Sequence, residues 1–310
     1  MTAHRPNAVV AVVLNWNQWD DTRDCLASLR ACGEDRPDVV LVDNGSRDGS
    51  PERIAAEFPD VTLLRQPRNL GFAEGNNVGI RHALARGASR IMLLNNDTLV
   101  DPGFLGPLTD ALDRRPDVGI VGPKIFCYPE TETLWAAGGA IDWATGRQSH
   151  IGASERDRGQ FDVEREVDYL SACCLVARRE VFERAGLLDP RYFIYFEETA
   201  WTMRAAAAGF ARLYVPKSRI WHKVSAAMKS DSPSSAYYLT RNRLLFLTEH
   251  GPAERRAFYR FFYTTRPLRL GLTLLLRRRF AQGRAIVEGL RDFYLGRFGQ
   301  RRGDARERAR

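Results

Sequence analysis

The sequence is sparing with the residues that anchor metals and disulfides: its 310 residues include five histidines and five cysteines. Cys25, Cys32, Cys127, Cys173 and Cys174 form no C-x-x-C pair and no Cys/His spacing suited to zinc, which leaves buried free thiols as the expectation. No G-x-G-x-x-G turn and no Walker A loop is present, which counts against dinucleotide oxidoreductases and P-loop enzymes. A long apolar run is also missing. Near the C-terminus, residues 268–276 are interrupted by Arg269 and fall short of the roughly 20 apolar residues a membrane span needs. At the other end, charge at Arg5 precedes the apolar run 9–14, but Asn15-Trp16-Asn17 follows at once, without a small-residue cleavage site. The chain is therefore expected to stay in the cytoplasm.

What is present can bury a large core: 44% of the residues are hydrophobic and 27% charged, the balance of one large globular domain with an appendage. The net charge of +8 is unevenly spread. Residues 1–240 hold 28 Lys and Arg against 32 Asp and Glu, whereas residues 241–310 hold 18 against 6. A near-neutral body and a cationic tail have different physical jobs, the second seeking an anionic surface.

The body reads as repeated β-α units. Residues 9–14 form a β-branched run of the kind buried on both faces of a parallel sheet, ending in polar Asn15 and Asn17. Asp20 or Asp21 can cap the helix that follows. Residues 39–42 repeat the pattern and end at Asp43-Asn44-Gly45, after which Ser50-Pro51 supplies a cap and a first-turn proline. Residues 61–64 lead into a Gly/Asn-rich stretch and a helix, and residues 91–94 end at Asn95-Asn96-Asp97. Four alternations predict a parallel sheet flanked by helices, whose ligands sit at the carboxyl ends of the strands, where the polar clusters fall. Further on, strands are expected at 169–176 and 213–215, helices at 180–185 and 199–208, and helical pattern from Ser234 to about Phe298.

Several clusters suit phosphate and sugar chemistry. Asp97, just past a buried strand, can hold Mg²⁺ or Mn²⁺ against a diphosphate; a turn or cap role explains the same residue. Asn69, Gly71, Phe72, Gly75 and Asn76 lie on a loop expected to lead into a helix, with glycines permitting close backbone approach and a helix N-terminus free to face phosphate. Glu197-Glu198 follows an aromatic run, and the N-terminus of a helix explains acidic residues there equally well.

Taken together, Asn15-Trp16-Asn17, the stretch 42–50, the stretch 69–77, Leu94-Asn95-Asn96-Asp97-Thr98, Gly138-Gly139, the run 193–198, His222-Lys223-Val224-Ser225 and the stretch 238–243 resemble, in order and spacing, family 2 glycosyltransferases, most of all their rhamnosyltransferase-like branch. The resemblance covers roughly residues 8–250. It implies the GT-A fold, an α/β architecture with a Rossmann-like, mostly parallel central sheet, over residues 1–232. A basic amphipathic helical region would then occupy residues 233–310. It also implies inverting transfer of a sugar, L-rhamnose from dTDP-L-rhamnose before other dTDP- or UDP-sugars, to a glycan or lipid-linked acceptor in bacterial surface glycan assembly.

The family's roles map onto individual positions. Asp43 would accept the imide N–H of the nucleotide base, with Asn15, Asn17 and Asn44 beside it, and Asn95 and Asn96 would join Asn69, Gly71, Phe72, Gly75 and Asn76 in holding the nucleotide sugar. By the same resemblance Asp97 would be the carboxylate of the metal motif, in the variant Asn-Asn-Asp, and His222 the distant ligand to Mg²⁺ or Mn²⁺. Glu198, with Glu197 next to it, occupies the position of the catalytic base, which is commonly aspartate. A further departure is Ala200, where the family commonly carries aspartate; it touches acceptor binding and favours a non-catalytic nucleotide-sugar-binding protein as the alternative.

The tail alternates Arg277, Arg278, Arg279, Arg284, Arg291 and Arg297 with Leu272, Leu275, Leu276, Phe280, Ile286, Leu290 and Phe293. Helices of that pattern either lie at the inner face of an anionic membrane or pack on the body with a solvated arginine face. Apolar tail helices also leave room for a homodimer. Nucleic acid is not an expected partner, because a basic tail leaves the first 240 residues unexplained.

Overall fold

The computed structural model describes residues 9–223 and 232–302. Arg5, and Val224 and Ser225 of the motif after His222, lie outside the described residues. The first part alternates strands and helices as expected: β1 (Val9–Asn15), α1 (Trp19–Arg30), β2 (Asp38–Asp43), α2 (Ser50–Glu57), β3 (Thr62–Arg65), α3 (Gly71–Ala85) and β4 (Arg90–Asn95). Strands β3, β2, β1 and β4 lie side by side and parallel, with Asn15 in register with Asp43, and Leu14 with Asn95. The continuous apolar run of β1 is explained by its two covered faces. Val9, Ala11 and Val13 join one core cluster with Leu26 and Leu29 of α1, while Val10 and Val12 join another with Ala73 and Ile80 of α3.

Several local expectations are corrected. Neither Asp20 nor Asp21 caps α1: Gln18 holds that position, and the two aspartates sit in the first turn, where the helix dipole favours them. Ser50 is the first residue of α2 rather than its cap, which is Gly49 at φ +77°, a conformation that suits glycine. The stretch 71–77 is the first half of α3, not a loop.

Past β4 the sheet changes direction. It continues with β5 (Thr98–Val100), α4 (Leu105–Arg114), β6 (Val118–Cys127), β7 (Leu134–Ala136), β8 (Gly139–Asp142), β9 (Arg147–His150), β10 (Arg165–Glu166), β11 (Cys174–Arg178), α5 (Arg179–Ala185), α6 (Glu197–Ala207) and β12 (Ala211–His222). The order across the sheet is β10-β12-β6-β11-β4-β1-β2-β3, with β11 antiparallel to both of its neighbours and β8 and β9 forming a separate hairpin. The strand expected at 169–176 begins only at Cys174, and the one expected at 213–215 is twelve residues long, with a register break between Val215 and Arg219. His222 consequently ends that strand instead of following it. Cys25, Cys32, Cys173 and Cys174 are buried free thiols and Cys127 is half-buried.

The tail forms α7 (Pro233–His250), α8 (Arg256–Leu276) and α9 (Phe280–Tyr294). Ser232 caps α7 by accepting from the Ser235 N–H, with Pro233 following. Leu244, Phe246, Tyr259 and Phe293 share an apolar cluster with Tyr169, Tyr192 and Phe196 of the body, so the tail helices do pack on it. Ala200 belongs to the same cluster and is fully buried.

Candidate active site

A cleft of about 750 Å³ opens at the carboxyl ends of the parallel strands, a volume fitted to a small-molecule ligand. Of the residues singled out from sequence, Asn44, Asn69, Gly71, Phe72, Asn95, Asn96, Asp97, Glu197, Glu198 and His222 line it. Asn15, Asn17, Asp43, Gly75 and Asn76 do not.

Each exception has a physical reason. Asn15, wholly buried, places its Nδ2 3.2 Å from Asp43 Oδ1 and 2.9 Å from Ser50 Oγ, and its oxygen accepts from the Thr22 hydroxyl at 2.9 Å. Thr22 Oγ1 in turn accepts from Asn96 Nδ2 at 2.8 Å. The buried chain Asp43–Asn15–Thr22–Asn96 therefore braces the strand ends from behind. Asp43, also receiving the Ser46 N–H at 3.2 Å, is oriented by this network and is not presented to the cleft. Asn17, at φ +53°, faces outward and accepts from the Arg47 N–H. Gly75 lies against β1, where a Cβ would come within 2.6 Å of Leu14 Cδ1, and Asn76 Nδ2 donates to the Phe72 carbonyl within its own helix. Nor is the α3 N-terminus open to phosphate: the Phe72 and Ala73 N–H groups donate to the Phe193 carbonyl at 2.6 and 3.2 Å, and the Gly71 N–H to Asn69 Oδ1. Gly71, at φ +86°, is required there, since a Cβ would sit 2.6 Å from that same carbonyl.

Asp97 and His222 meet because β5 pairs antiparallel with the end of β12, His222 opposite Thr98. Their side chains approach to 3.1 Å, Oδ1 to Nε2, and both residues are buried. Lys223 secures this end of β12, donating from its backbone to the Asp97 carbonyl and pairing through Nζ with Asp21 and Asp24 of α1. The Nδ1 of His222 is buried with no partner among the described residues. A carboxylate oxygen beside an imidazole nitrogen fits Mn²⁺ or Mg²⁺ chemistry, and the described residues add no third His, Cys, Asp or Glu to make a closed cage.

The glutamates come from a strained segment. Phe193, Tyr195 and Phe196 have φ of +66°, +68° and +75°, a region that costs a non-glycine residue about 1–3 kcal/mol. Two side chains of α7, whose functional signal was only a motif of unassigned role, hold this shape. Asn242 Nδ2 reaches the carbonyls of Tyr192, Ile194 and Tyr195 at 2.8 to 3.0 Å, and Arg241, fully buried, donates to those of Arg191 and Tyr192 at 3.0 Å. No local pattern could reveal that, because the carbonyls lie about fifty residues upstream. Asn242→Ala should cost about 2–3 kcal/mol, the penalty for buried acceptors left unmade, and lower turnover further by loosening the segment before Glu197; urea denaturation beside steady-state rates checks both.

Burial pushes the Glu197 carboxyl well above the ordinary carboxylate range, with the Glu198 charge adding to it, and burial also raises Glu198. Glu197 has a buried Oε2 with no partner among the described residues, while Glu198 is half-buried in the cleft wall. Trp135, Gln148, His150 and Tyr169, which local sequence pattern did not single out, also line the cleft. His150 is pushed down to about 4 by burial and then by His222, which keeps its imidazole neutral. Ala200 does not line the cleft.

Residues 10–186 match the family model of glycosyl transferase family 2. Over 250 residues, 72% of this chain and 78% of the relative, the sequence is 30% identical to N-acetylglucosaminyl-diphospho-decaprenol L-rhamnosyltransferase of Mycobacterium tuberculosis. It is 25% identical over 256 residues to the dTDP-rhamnosyl transferase RfbF of Shigella flexneri, covering 78% and 80% of the two chains. The fold matches that of the mannosyltransferase PcManGT from Pyrobaculum calidifontis, solved in complex with GDP-Man and Mn²⁺, with a TM-score of 0.57 over 94% of this chain and 88% of that one at 16% identity. With a GT-A fold, polar strand ends gathered on one cleft and more than half its length inside the family model, this chain belongs to glycosyl transferase family 2 and is a glycosyltransferase.

Proposed function

We propose that the enzyme transfers L-rhamnose from dTDP-L-rhamnose, with inversion, to a hydroxyl of a lipid-linked or glycan acceptor in bacterial surface glycan assembly. The observation that carries this reading is the opening of the Asp97–His222 pair and Glu198 onto one cleft. Its acceptor and donor classes are those named for the similar rhamnosyltransferases. Asp97 and His222 would hold Mg²⁺ or Mn²⁺, which supplies neutralisation of the charge that develops on the diphosphate. Glu198 takes the proton of the acceptor hydroxyl as that oxygen bonds to the anomeric carbon, and the bond from that carbon to the diphosphate oxygen breaks with its electron pair leaving on the nucleotide. Asn69 and Asn95 offer polar groups to the nucleotide, with Asn44, bonded to Asn69, the Leu70 N–H and the Gly71 carbonyl, and Asp43 and Asn15 fixing the loop behind them. Arg243, the only Lys or Arg lining the cleft among the described residues, has aromatic neighbours Phe196 and Tyr263 and no carboxylate partner among the described residues, which suits a phosphate of the acceptor.

Calorimetric titration with dTDP, UDP and GDP, each with Mn²⁺ and with EDTA, tests the donor site. Metal-dependent binding of dTDP is the expected result; preference for UDP moves the donor to another nucleotide sugar, and no binding of any nucleotide removes the reading. A binding protein without turnover drew its support from Ala200, and that support is weaker now that Ala200 is buried away from the cleft.

The exposed face of α8 is suited to an anionic membrane surface. Opposite the buried face of α8, formed by Tyr259, Tyr263 and Leu274, Phe261, Leu272 and Leu276 are 70%, 50% and 86% exposed. The helix contains Arg256, Arg260, Arg266 and Arg269 with no acidic residue, and Arg277–279 follow. No helix among the described residues is long and apolar enough to cross a membrane. Exposed apolar side chains among unopposed cations match the headgroup boundary of anionic lipid. Vesicles containing phosphatidylglycerol should bind the enzyme at least about tenfold more strongly than neutral ones, and Leu272→Glu with Leu276→Glu should remove that binding while dTDP affinity stays. Equal weak binding to both vesicles, or a concentration-dependent dimer that hides the stripe, counts against it.

A further inference from the structure

The sugar being transferred has to lie between two points that the proposed reaction fixes: the diphosphate beside Asp97 and His222, and the acceptor hydroxyl beside Glu198. A row of rings starts at the first point and lines the cleft into which the second opens. Trp135 meets the His222 ring edge-on at 4.7 Å and the His150 ring at 4.3 Å. His150 lies 5.9 Å from Tyr169, which lines the cleft together with Glu198. These residues come from β7, β9 and the segment before β11, the part of the fold that the β-α repeat does not account for.

Two polar atoms in this wall have nothing to bond. Gln148 Nε2 and His150 Nδ1 are buried without a hydrogen-bond partner among the described residues. They project together because they are two apart on β9, which places them on one face of the strand, and both residues line the cleft. A buried polar atom left unmade costs about 1–3 kcal/mol and is uncommon unless a ligand or water completes it.

We infer that Trp135, Gln148, His150 and Tyr169 form the subsite for the pyranosyl ring of the nucleotide-sugar donor. The rings pack against its C–H face, and Gln148 Nε2 and His150 Nδ1 bond its hydroxyls. The β8–β9 hairpin is then the element that selects the sugar, separately from the strand ends that hold the nucleotide. This assignment rests on the transfer reaction proposed above.

Calorimetry can separate the two levels. The wild type, Gln148→Met, His150→Phe and the double variant are titrated, with Mn²⁺, with dTDP, dTDP-L-rhamnose, UDP and UDP-glucose. Both substitutions keep bulk, and unchanged affinity for the bare nucleotide shows that the donor site is still folded. The expected result is that the affinity gained from the sugar falls about 3- to 10-fold in each variant and further in the double variant, the size of one and two lost hydrogen bonds. A sugar increment that stays at the wild-type value in both variants overturns the subsite, as does a wild type that gains nothing from either sugar over its nucleotide. Failure of the wild type to bind dTDP or UDP at all overturns the transfer reading itself. If His150→Phe does not fold, Gln148→Met alone decides.

Discussion

Asp97→Ala is expected to abolish metal-dependent binding of dTDP and to lower turnover by at least about a thousandfold, the scale on which removing stabilisation of developing negative charge acts. The size follows from how completely the residue is built in. Asp97 is 5% exposed, sits at the turn between β4 and β5, and faces His222 at 3.1 Å. Its neighbours are already committed, Asn96 to Thr22 and Lys223 to Asp21 and Asp24, so no described carboxylate stands ready to replace it. Titration of wild type and variant with dTDP in Mn²⁺ and in EDTA gives the answer. If the variant binds dTDP with Mn²⁺ as tightly as the wild type does, Asp97 does not hold the metal, and His222 would have to be reconsidered with it.

The parts of this architecture legible in the sequence are those decided by local pattern. Strands β1, β2 and β4 announce themselves because most of their residues are covered on both faces, and polar residues begin at their carboxyl ends, while β3 is a short, half-exposed edge strand. Asn95, Asn96 and Asp97 were legible for that reason. The stretch 69–77 misled because Gly and Asn are loop residues by propensity; here Gly75 is small to let α3 lie on Leu14, and Asn76 bonds back to its own helix, causes that exist only after packing. The roles of Asp43 and Asn15 at the nucleotide came from the family resemblance, and the strand-end pattern did not reveal the buried network that ties the two together. Least legible were contacts between distant segments. The approach of His222 to Asp97 rests on the pairing of β12 with β5, the bent aromatic segment rests on Arg241 and Asn242, and the grouping of Trp135, Gln148, His150 and Tyr169 rests on β7, the β8–β9 hairpin and the segment before β11, which lie apart in the sequence. In the tail, periodicity indicated helices but left two environments open, and α8 uses both of its faces: one packs on the body and the other is apolar and exposed.

Glu198→Gln is expected to reduce kcat by about 10²- to 10⁴-fold, the usual contribution of a positioned base, while dTDP affinity stays near the wild-type value. Gln keeps the shape and the hydrogen-bonding capacity of the side chain and removes only its ability to accept a proton. Because burial raises the Glu198 carboxyl above its ordinary value of 4.5, the acidic limb of the wild-type rate profile should lie above that pH, activity falling as the base becomes protonated. Glu197 separates chemistry from stability. Its folded-state pKa is raised further, so the stabilisation from its proton is complete below the ordinary value of 4.5 and is lost as pH rises through the folded value. Glu197→Gln cannot ionise and should therefore raise Tm relative to the wild type at pH 7, with the difference shrinking toward pH 4. If it also retains most of the activity that Glu198→Gln loses, the two neighbours have different jobs: Glu198 accepts the proton, and Glu197 is a buried carboxyl whose neutral form the fold prefers. If instead Glu197→Gln loses turnover and Glu198→Gln keeps it, the base is the first glutamate of the pair.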